Sequence, residues 1–215
     1  MALKRVGVGA GLISPHTSGL LAVGLQGAHH FLYMFFIVDG AQAGKNVQGF
    51  LVKIKPLILK AIGKQQRHPA LLKRGFGITL NESLNAAEYL ASEGNSQVIF
   101  CLRGMKSDFG APHRNLVDFA QVPTIKRLTR MPVCIDPSHS VGSRERAPDG
   151  VLELCHATSQ GIAAGANMVL VDFHPAPEKA LVDGPQAMLM NELEPFLKDV
   201  EIAREAYLKR CAVWQ

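Results

Sequence analysis

The sequence predicts an α/β fold built on a parallel sheet, and three observations carry that expectation. Short β-branched runs recur about every 30 to 35 residues, the length of one β-α unit with its loops. The runs are apolar throughout, as in strands covered by helices on both faces. Stretches of helical periodicity separate them, and parallel neighbours need such crossovers, which are right-handed.

Taken in order, the candidate strands are Met34–Asp39, Ala70–Lys73, Gln97–Leu102, Val133–Asp136 and Met168–Asp172. Leu80–Ser92 reads as a helix. It starts after Thr79, carries Asn81 and Glu82 in its opening turn, and stops at Glu93-Gly94, a plausible C-terminal cap. Ala120–Leu128 and Leu152–Ala164 have the same character, the second ending in Gly165, and Glu192–Lys209 is a long amphipathic terminal helix. Residues 1–33 break the rhythm: they are glycine-rich, contain a Pro-His-Thr-Ser break and show no helix of useful length. The architecture that follows is a TIM (β/α) barrel, incomplete or irregular at the N-terminus, because eight β-α units need roughly 250 residues. The organisation is an irregular segment over 1–33 followed by one β/α-barrel domain over 34–215.

Composition narrows the function classes. A hydrophobic content of 47% with 19% charged residues is that of a globular chain with a full core, not a disordered one. The net charge of +5 would fit nucleic acid, but only 7% of residues are aromatic and Lys and Arg are mostly dispersed, the exceptions Lys53–Lys64 and Lys73-Arg74 reading as a solvated helix face and an anion site. Neither nucleic acid nor membrane is expected as a partner, and the apolar run Phe31–Val38 is too short to span a bilayer. Cys101, Cys134, Cys155 and Cys211 lie far apart with no C-x-x-C pairing, which points to a reducing, cytoplasmic setting. Cys101 and Cys134 sit in apolar runs and read as packing residues. Gly7-Val-Gly-Ala-Gly11 lacks the helix and later acidic residue of a nucleotide loop.

The chemistry-bearing residues gather at strand ends. His139 follows the run Val-Cys-Ile-Asp, Asp172 closes Val-Leu-Val-Asp, and Asp183 comes shortly after. One imidazole and two carboxylates raised from separate strand ends resemble a divalent-cation site. Each has a plainer reading: a buried histidine, a helix cap, and a turn before Gly184-Pro185. Three other strand ends present cations: Lys45 after the first, Lys73-Arg74 after the second and Arg103 after the third. Ligands of parallel α/β folds bind beyond the carboxyl ends of strands, so these cations suit a phosphate-plus-carboxylate ligand beside the metal. Lys45 could equally be solvated.

A set of motifs in order resembles one family. Lys73-Arg-Gly-Phe76, Asn85-Ala-Ala-Glu-Tyr89, Glu93-Gly-Asn95, Cys101–Gly104, Arg114-Asn115, Asp136-Pro-Ser-His139, His174-Pro175 and Lys179–Gln186 look like the type I-beta 3-deoxy-D-arabino-heptulosonate 7-phosphate (DAHP) synthases. The resemblance runs from about residue 38 to residue 200. The related 3-deoxy-octulosonate 8-phosphate synthases share the His-Pro and Asp-Gly-Pro portions, but Asp-Pro-Ser-His and Leu-Leu-Lys-Arg-Gly favour the heptulosonate branch. The resemblance implies condensation of phosphoenolpyruvate (PEP) with erythrose 4-phosphate, the first step of the shikimate pathway, with Mn2+ or a similar divalent metal. It implies His139, Asp172 and Asp183 as metal ligands and Lys73 and His139 as catalytic residues. Lys45, Lys73, Arg74, Arg103 and Arg114 would bind substrate, Lys73 near the reacting centre and Arg103 at the PEP phosphate.

The departures are equally specific. The family's Ala-Gly-Pro-Cys motif, whose cysteine is a metal ligand, and its Lys-Pro-Arg-Thr-Ser substrate loop do not occur in this sequence. Asp172 stands where the family usually has Glu, Lys45 where it has Arg, and Leu102 where a Glu precedes the Arg. They keep a second expectation open: a catalytically weak or inactive relative that retains a phosphate site and serves as a binding or assembly partner. An incomplete barrel exposes apolar faces, so a homo-oligomer is expected.

Overall fold

The computed structural model describes residues 19–24, 36–38, 48–66 and 68–215, with side chains from Pro56 onward. The elements run β1 (Gly19–Gly24), β2 (Phe36–Val38), α1 (Gln48–Gly63), β3 (Ala70–Lys73), α2 (Leu80–Ala91), β4 (Val98–Leu102), α3 (Val122–Thr129), β5 (Val133–Ile135), α4 (Pro137–Val141), α5 (Glu153–Ala163), β6 (Met168–Phe173) and α6 (Leu193–Val213). The chain divides into two compact units, Tyr33–Cys101 and the part from Leu102 to Gln215 joined by β1.

In the Tyr33–Cys101 unit, β2, β3 and β4 are parallel, Phe36 pairing with Ala70 and Ala70 with Val98. Every residue of β3 is buried, as its unbroken apolar run requires; even Lys73 is only 6% exposed. Asn95 ties the two strand entrances together, its Nδ2 donating to the His68 carbonyl (3.2 Å) while its Oδ1 accepts from Gln97 N (3.0 Å). Thr79 opens α2 through a reciprocal capping box, Oγ1 accepting from Glu82 N and Thr79 N donating to Glu82 Oε2. The charged run from Lys53 to Lys64, expected as a solvated helix face, belongs to α1 up to Gly63, with Lys64 just beyond its end, and α1 packs on α2. Gly63 permits that approach, since a Cβ there would lie 2.6 Å from the Leu90 carbonyl oxygen.

In the other unit β5 and β6 are parallel, Cys134 pairing with Met168. β1 departs from the all-parallel expectation: it runs antiparallel along β6, Gly19 opposite Phe173 and Gly24 opposite Met168. Its partner lies some 150 positions later in the chain, so no tight turn or single crossover between them sets the direction in which β1 runs. Helix α5 packs against α4 and α6. Gly161, in α5, lets that helix approach β5, since a Cβ there would lie 2.4 Å from Ile135 Cδ1; Gly165, just beyond α5, leaves room for α6, a Cβ there lying 2.9 Å from the Tyr207 hydroxyl. Only Phe196 and Val200 of α6 are buried, so its last three turns lie on the surface.

The predicted helices over 80–92, 152–164 and 192–209 match α2, α5 and α6 to within a few residues at each end. The predicted 120–128 helix begins as a 3-10 turn, Phe119–Gln121, before α3.

Candidate metal centre

The site is assembled from three backbone devices in the unit that contains β5 and β6. The first is a helix cap. β5 ends at Ile135, one residue earlier than predicted, and Asp136 becomes the N-cap of the short helix α4. Its Oδ1 accepts from His139 N at 3.1 Å, with Pro137 in the first turn, where a missing N–H costs nothing. Gly142, at φ 78°, closes the helix. The same Asp136 carboxylate lies 3.0 Å (Oδ2) and 3.1 Å (Oδ1) from His139 Nδ1. Asn115, 2% exposed, donates from Nδ2 to the His139 carbonyl at 2.7 Å. The imidazole is therefore held at both ends of its own residue.

The second device is the end of a strand. Asp172 is the penultimate residue of β6 and 4% exposed. Its backbone N–H donates to Ser138 Oγ at 3.0 Å, and Gln186 Nε2 donates to its Oδ2 at 2.6 Å. The third is a left-handed turn: Asp183, at φ 56° and ψ 18°, precedes the 3-10 turn Gly184–Gln186. Aspartate tolerates this conformation better than most side chains.

Together these bring His139 Nε2 within 3.7 Å of Asp183 Oδ2 and His139 Nδ1 within 3.6 Å of Asp172 Oδ2. Ligand atoms from His139, Asp172 and Asp183 all lie within 4.8 Å of one another. Ligands bonded to one cation at about 2.1 Å sit roughly 3 to 4.2 Å apart, so a slight closure brings these three into a coordination shell. An imidazole nitrogen with carboxylate oxygens is a donor set for Mn, Fe or Zn; with only oxygen donors it would favour Mg or Ca. The residues fit a divalent cation.

Of the anion-binding residues expected from sequence, Arg114 reaches this cluster. Its Nη1 lies 3.7 Å from Asp183 Oδ1 and donates to Gln186 Oε1 at 3.0 Å. Arg103, 2% exposed, follows Leu102, whose carbonyl accepts from Asp136 N at 2.8 Å. Lys73 and Arg74 close β3 in the Tyr33–Cys101 unit, Arg74 only 2% exposed and donating from Nη2 to the Ile78 carbonyl at 3.4 Å. Lys45 lies outside the described residues.

Asp136, Gln186 and Asn115 support the site, and the sequence alone assigns them no role. The Asp-Pro-x-His spacing, an N-cap acid, a first-turn proline and a third-turn-position donor, was the legible signal for Asp136. Nothing in the sequence marks Gln186, because its partner is fourteen residues away through a turn.

Residues 55–208 match the model of the DAHP synthetase I family. This chain belongs to that family. A phospho-2-dehydro-3-deoxyheptonate aldolase of Thermotoga maritima is 45% identical over 120 residues, covering 56% of this chain and 33% of its own. A 2-dehydro-3-deoxyphosphooctonate aldolase of Legionella pneumophila is 30% identical over 145 residues, covering 66% of this chain and 52% of the relative. The crystal structure of the Thermotoga maritima DAHP synthase superposes on 77% of this chain and 50% of that one, with 30% identity and a TM-score of 0.63. A truncated form of the same synthase gives 0.62 at 34% identity, covering 77% and 58%. The chain thus spans between a third and somewhat over half of these relatives. Its α/β architecture is that of an incomplete (β/α) barrel of the DAHP synthetase I type.

Proposed function

We propose that this chain serves the aldol-type condensation of PEP with erythrose 4-phosphate and water to give DAHP and inorganic phosphate. The observation that carries the reading is the His139, Asp172 and Asp183 cluster, three ligand atoms within 4.8 Å in a member of the DAHP synthetase I family. These three residues would hold the divalent metal, Mn2+ or a similar ion; when bound, it supplies Lewis-acid polarisation of the sugar aldehyde. C3 of PEP bonds to the aldehyde carbon, whose oxygen takes a proton to become a hydroxyl. Water adds at C2, the C2–O bond to phosphate breaks, and C2 becomes the ketone. Arg103 neutralises the PEP phosphate, and Lys73 stabilises charge at the reacting centre, fixed cations being most effective where charge develops. Arg74, Arg114 and Lys45 provide further anion contacts, Arg114 beside Asp183.

The test is PEP consumption with erythrose 4-phosphate and Mn2+, repeated after chelation and with His139→Ala. Turnover abolished by both treatments supports the proposal. Absent turnover in all samples favours the second reading, a binding or assembly partner that retains a phosphate site. Calorimetry with PEP then identifies a retained anion site, which Arg103→Ala should abolish.

The remaining expectations belong to the same proposal. All four cysteines are free thiols, which suits a cytoplasmic protein, and no helix among the described residues is long and apolar enough to cross a membrane. Ile202 (67% exposed), Val213 (79%) and Trp214 (90%) on and just beyond α6 are the kind of surface that supports a homo-oligomer. A monodisperse monomer by light scattering at micromolar concentration would refute it.

A further inference from the structure

We infer that Asp136 is the positioning residue of the centre: its carboxylate fixes the His139 proton on Nδ1, so that Nε2 presents its lone pair toward Asp183 and the metal. The inference rests on the proposal that His139, Asp172 and Asp183 hold a cation, and it assigns a role to a residue outside that ligand set.

The argument is geometric. A neutral imidazole has one N–H and one lone pair, and which nitrogen carries the proton is set by the bond the other makes. An ionised carboxylate can only accept. Asp136 places both oxygens on Nδ1, at 3.0 and 3.1 Å, and Asp172 Oδ2 stands 3.6 Å from the same nitrogen, whereas Nε2 lies 3.7 Å from the nearest Asp183 oxygen; of these, only the Asp136 contacts are within hydrogen-bond range. The Nδ1 side is thus the bonded one and the Nε2 side is the open one. Asp136 is 1% exposed and also accepts from His139 N, so one carboxylate grips the backbone and the ring of the same residue. A side chain bonded in this way cannot rotate away without uncapping α4. The neighbourhood reinforces the placement: Ser140 Oγ donates to the Asp136 carbonyl at 3.0 Å, and Asp136 N donates to Leu102 at the end of β4. Metal-bound histidines elsewhere use the same carboxylate–imidazole–metal relay, whose loss typically weakens metal binding 10- to 100-fold.

Asp136→Asn separates this role from a structural one. The amide keeps an oxygen for the cap and the same volume, but its NH2 can turn to Nδ1 and drive the proton to Nε2, which closes the ligand position. In the full chain, Mn2+ affinity by calorimetry or electron paramagnetic resonance should fall at least tenfold in Asp136→Asn, while the thermal midpoint stays close to that of the parent. The 15N spectrum of His139 should change from an Nδ1–H to an Nε2–H pattern. Unaltered Mn2+ affinity in a folded Asp136→Asn, or an unaltered tautomer, overturns the inference. If the variant does not fold, the parent chain alone decides, since an Nε2–H His139 in its metal-free spectrum is equally fatal. A parent that does not bind Mn2+, or a His139→Ala that binds it as tightly as the parent, overturns instead the metal reading beneath it.

Discussion

Replacing Gly161 by alanine sets two effects against each other, and their sizes decide the sign. Helix α5 gains about 1 kcal/mol of intrinsic propensity from the change. The new Cβ, however, would lie 2.4 Å from Cδ1 and 3.1 Å from Cγ2 of Ile135, and 3.2 Å from Cδ2 of Phe119. Ile135 is 0% and Phe119 1% exposed, so neither can swing toward solvent. Overpacking costs about 1–3 kcal/mol, and a contact more than an ångström inside the ~3.5–4.0 Å carbon–carbon optimum belongs at the upper end. The net expectation is a loss of about 1–2 kcal/mol, or a fall of about 2–8 °C in Tm for a chain of this length.

The clash atom can be removed. Ile135→Val deletes Cδ1 and by itself costs about 0.5–1.5 kcal/mol. In that background Gly161→Ala should be at least ~1 kcal/mol less damaging than in the parent, because the two positions share one contact. Equilibrium urea denaturation of all four proteins measures the cycle. Ile135 immediately precedes Asp136, so Gly161→Ala should also weaken Mn2+ binding, and the double variant should recover most of it. A cycle additive within about 0.5 kcal/mol, or a Gly161→Ala protein as stable as its parent, refutes the packing argument.

Thr79→Ala should cost about 1 kcal/mol through loss of the α2 cap, read from the urea midpoint. Hydrogen bonds from Thr79 backbone and hydroxyl hold the Glu82 carboxyl below its usual range, so its contribution is present at neutral pH. It disappears as pH falls through the depressed folded value, and the difference between parent and Glu82→Gln should shrink accordingly below the usual glutamate range; a difference constant from pH 7 to 3 contradicts this. Burial, with Asp199 and Glu192 adding to it, pushes the Cys155 thiol up to about 11, and Cys101 and Cys134 are buried. A thiol reagent at pH 8 should therefore label only Cys211 quickly in the folded chain, and labelling of a second cysteine on the same timescale would contradict the packing. Arg130 caps α3 at φ 59°, where a Cβ is strained by about 1–2 kcal/mol; Arg130→Gly should raise stability by about 0.5–1 kcal/mol and leave Mn2+ binding unchanged.

Legibility followed the locality of the determinants. β3 was read to the residue, because an apolar run between Pro69 and Arg74-Gly75 admits little else. α2 was located by its cap, a signal confined to four residues. α1 was legible only as a charged helix face over 53–64 and its start at Gln48 was not, because Pro56 lies inside it and argues locally against a continuous helix. The antiparallel pairing of β1 was hidden for a different reason: register with β6 involves residues some 150 positions apart, and no turn between them encodes it. At the site, residue type and strand-end position pointed to the three ligand candidates, while Arg114 came from the family resemblance alone. The supports were missed because Gln186 and Asn115 act through partners that only the tertiary fold supplies.

The three arms of the proposed centre differ in how firmly they are held, and this decides where cation affinity is limited. The His139 arm is fixed at its backbone N–H by Asp136, at its carbonyl by Asn115 and at its ring by Asp136 again. The Asp172 arm is seated in a strand paired on both sides, by β5 and β1, and its carboxylate is held by Gln186. Asp183 has neither support: it sits in a left-handed turn, its side chain is 34% exposed, and its carboxylate faces Arg114 at 3.7 Å and His139 at 3.7 Å. An arm on a turn can close on an ion by small backbone rotations that the other two cannot make without breaking buried hydrogen bonds. The order of restraint therefore assigns rigidity and orientation to the arms from β5 and β6, and adaptability to the loop arm. Substitutions near Asp183 should shift cation affinity with little change in stability, whereas those that remove a buried hydrogen bond from the other arms, such as Asn115→Ala, should change both.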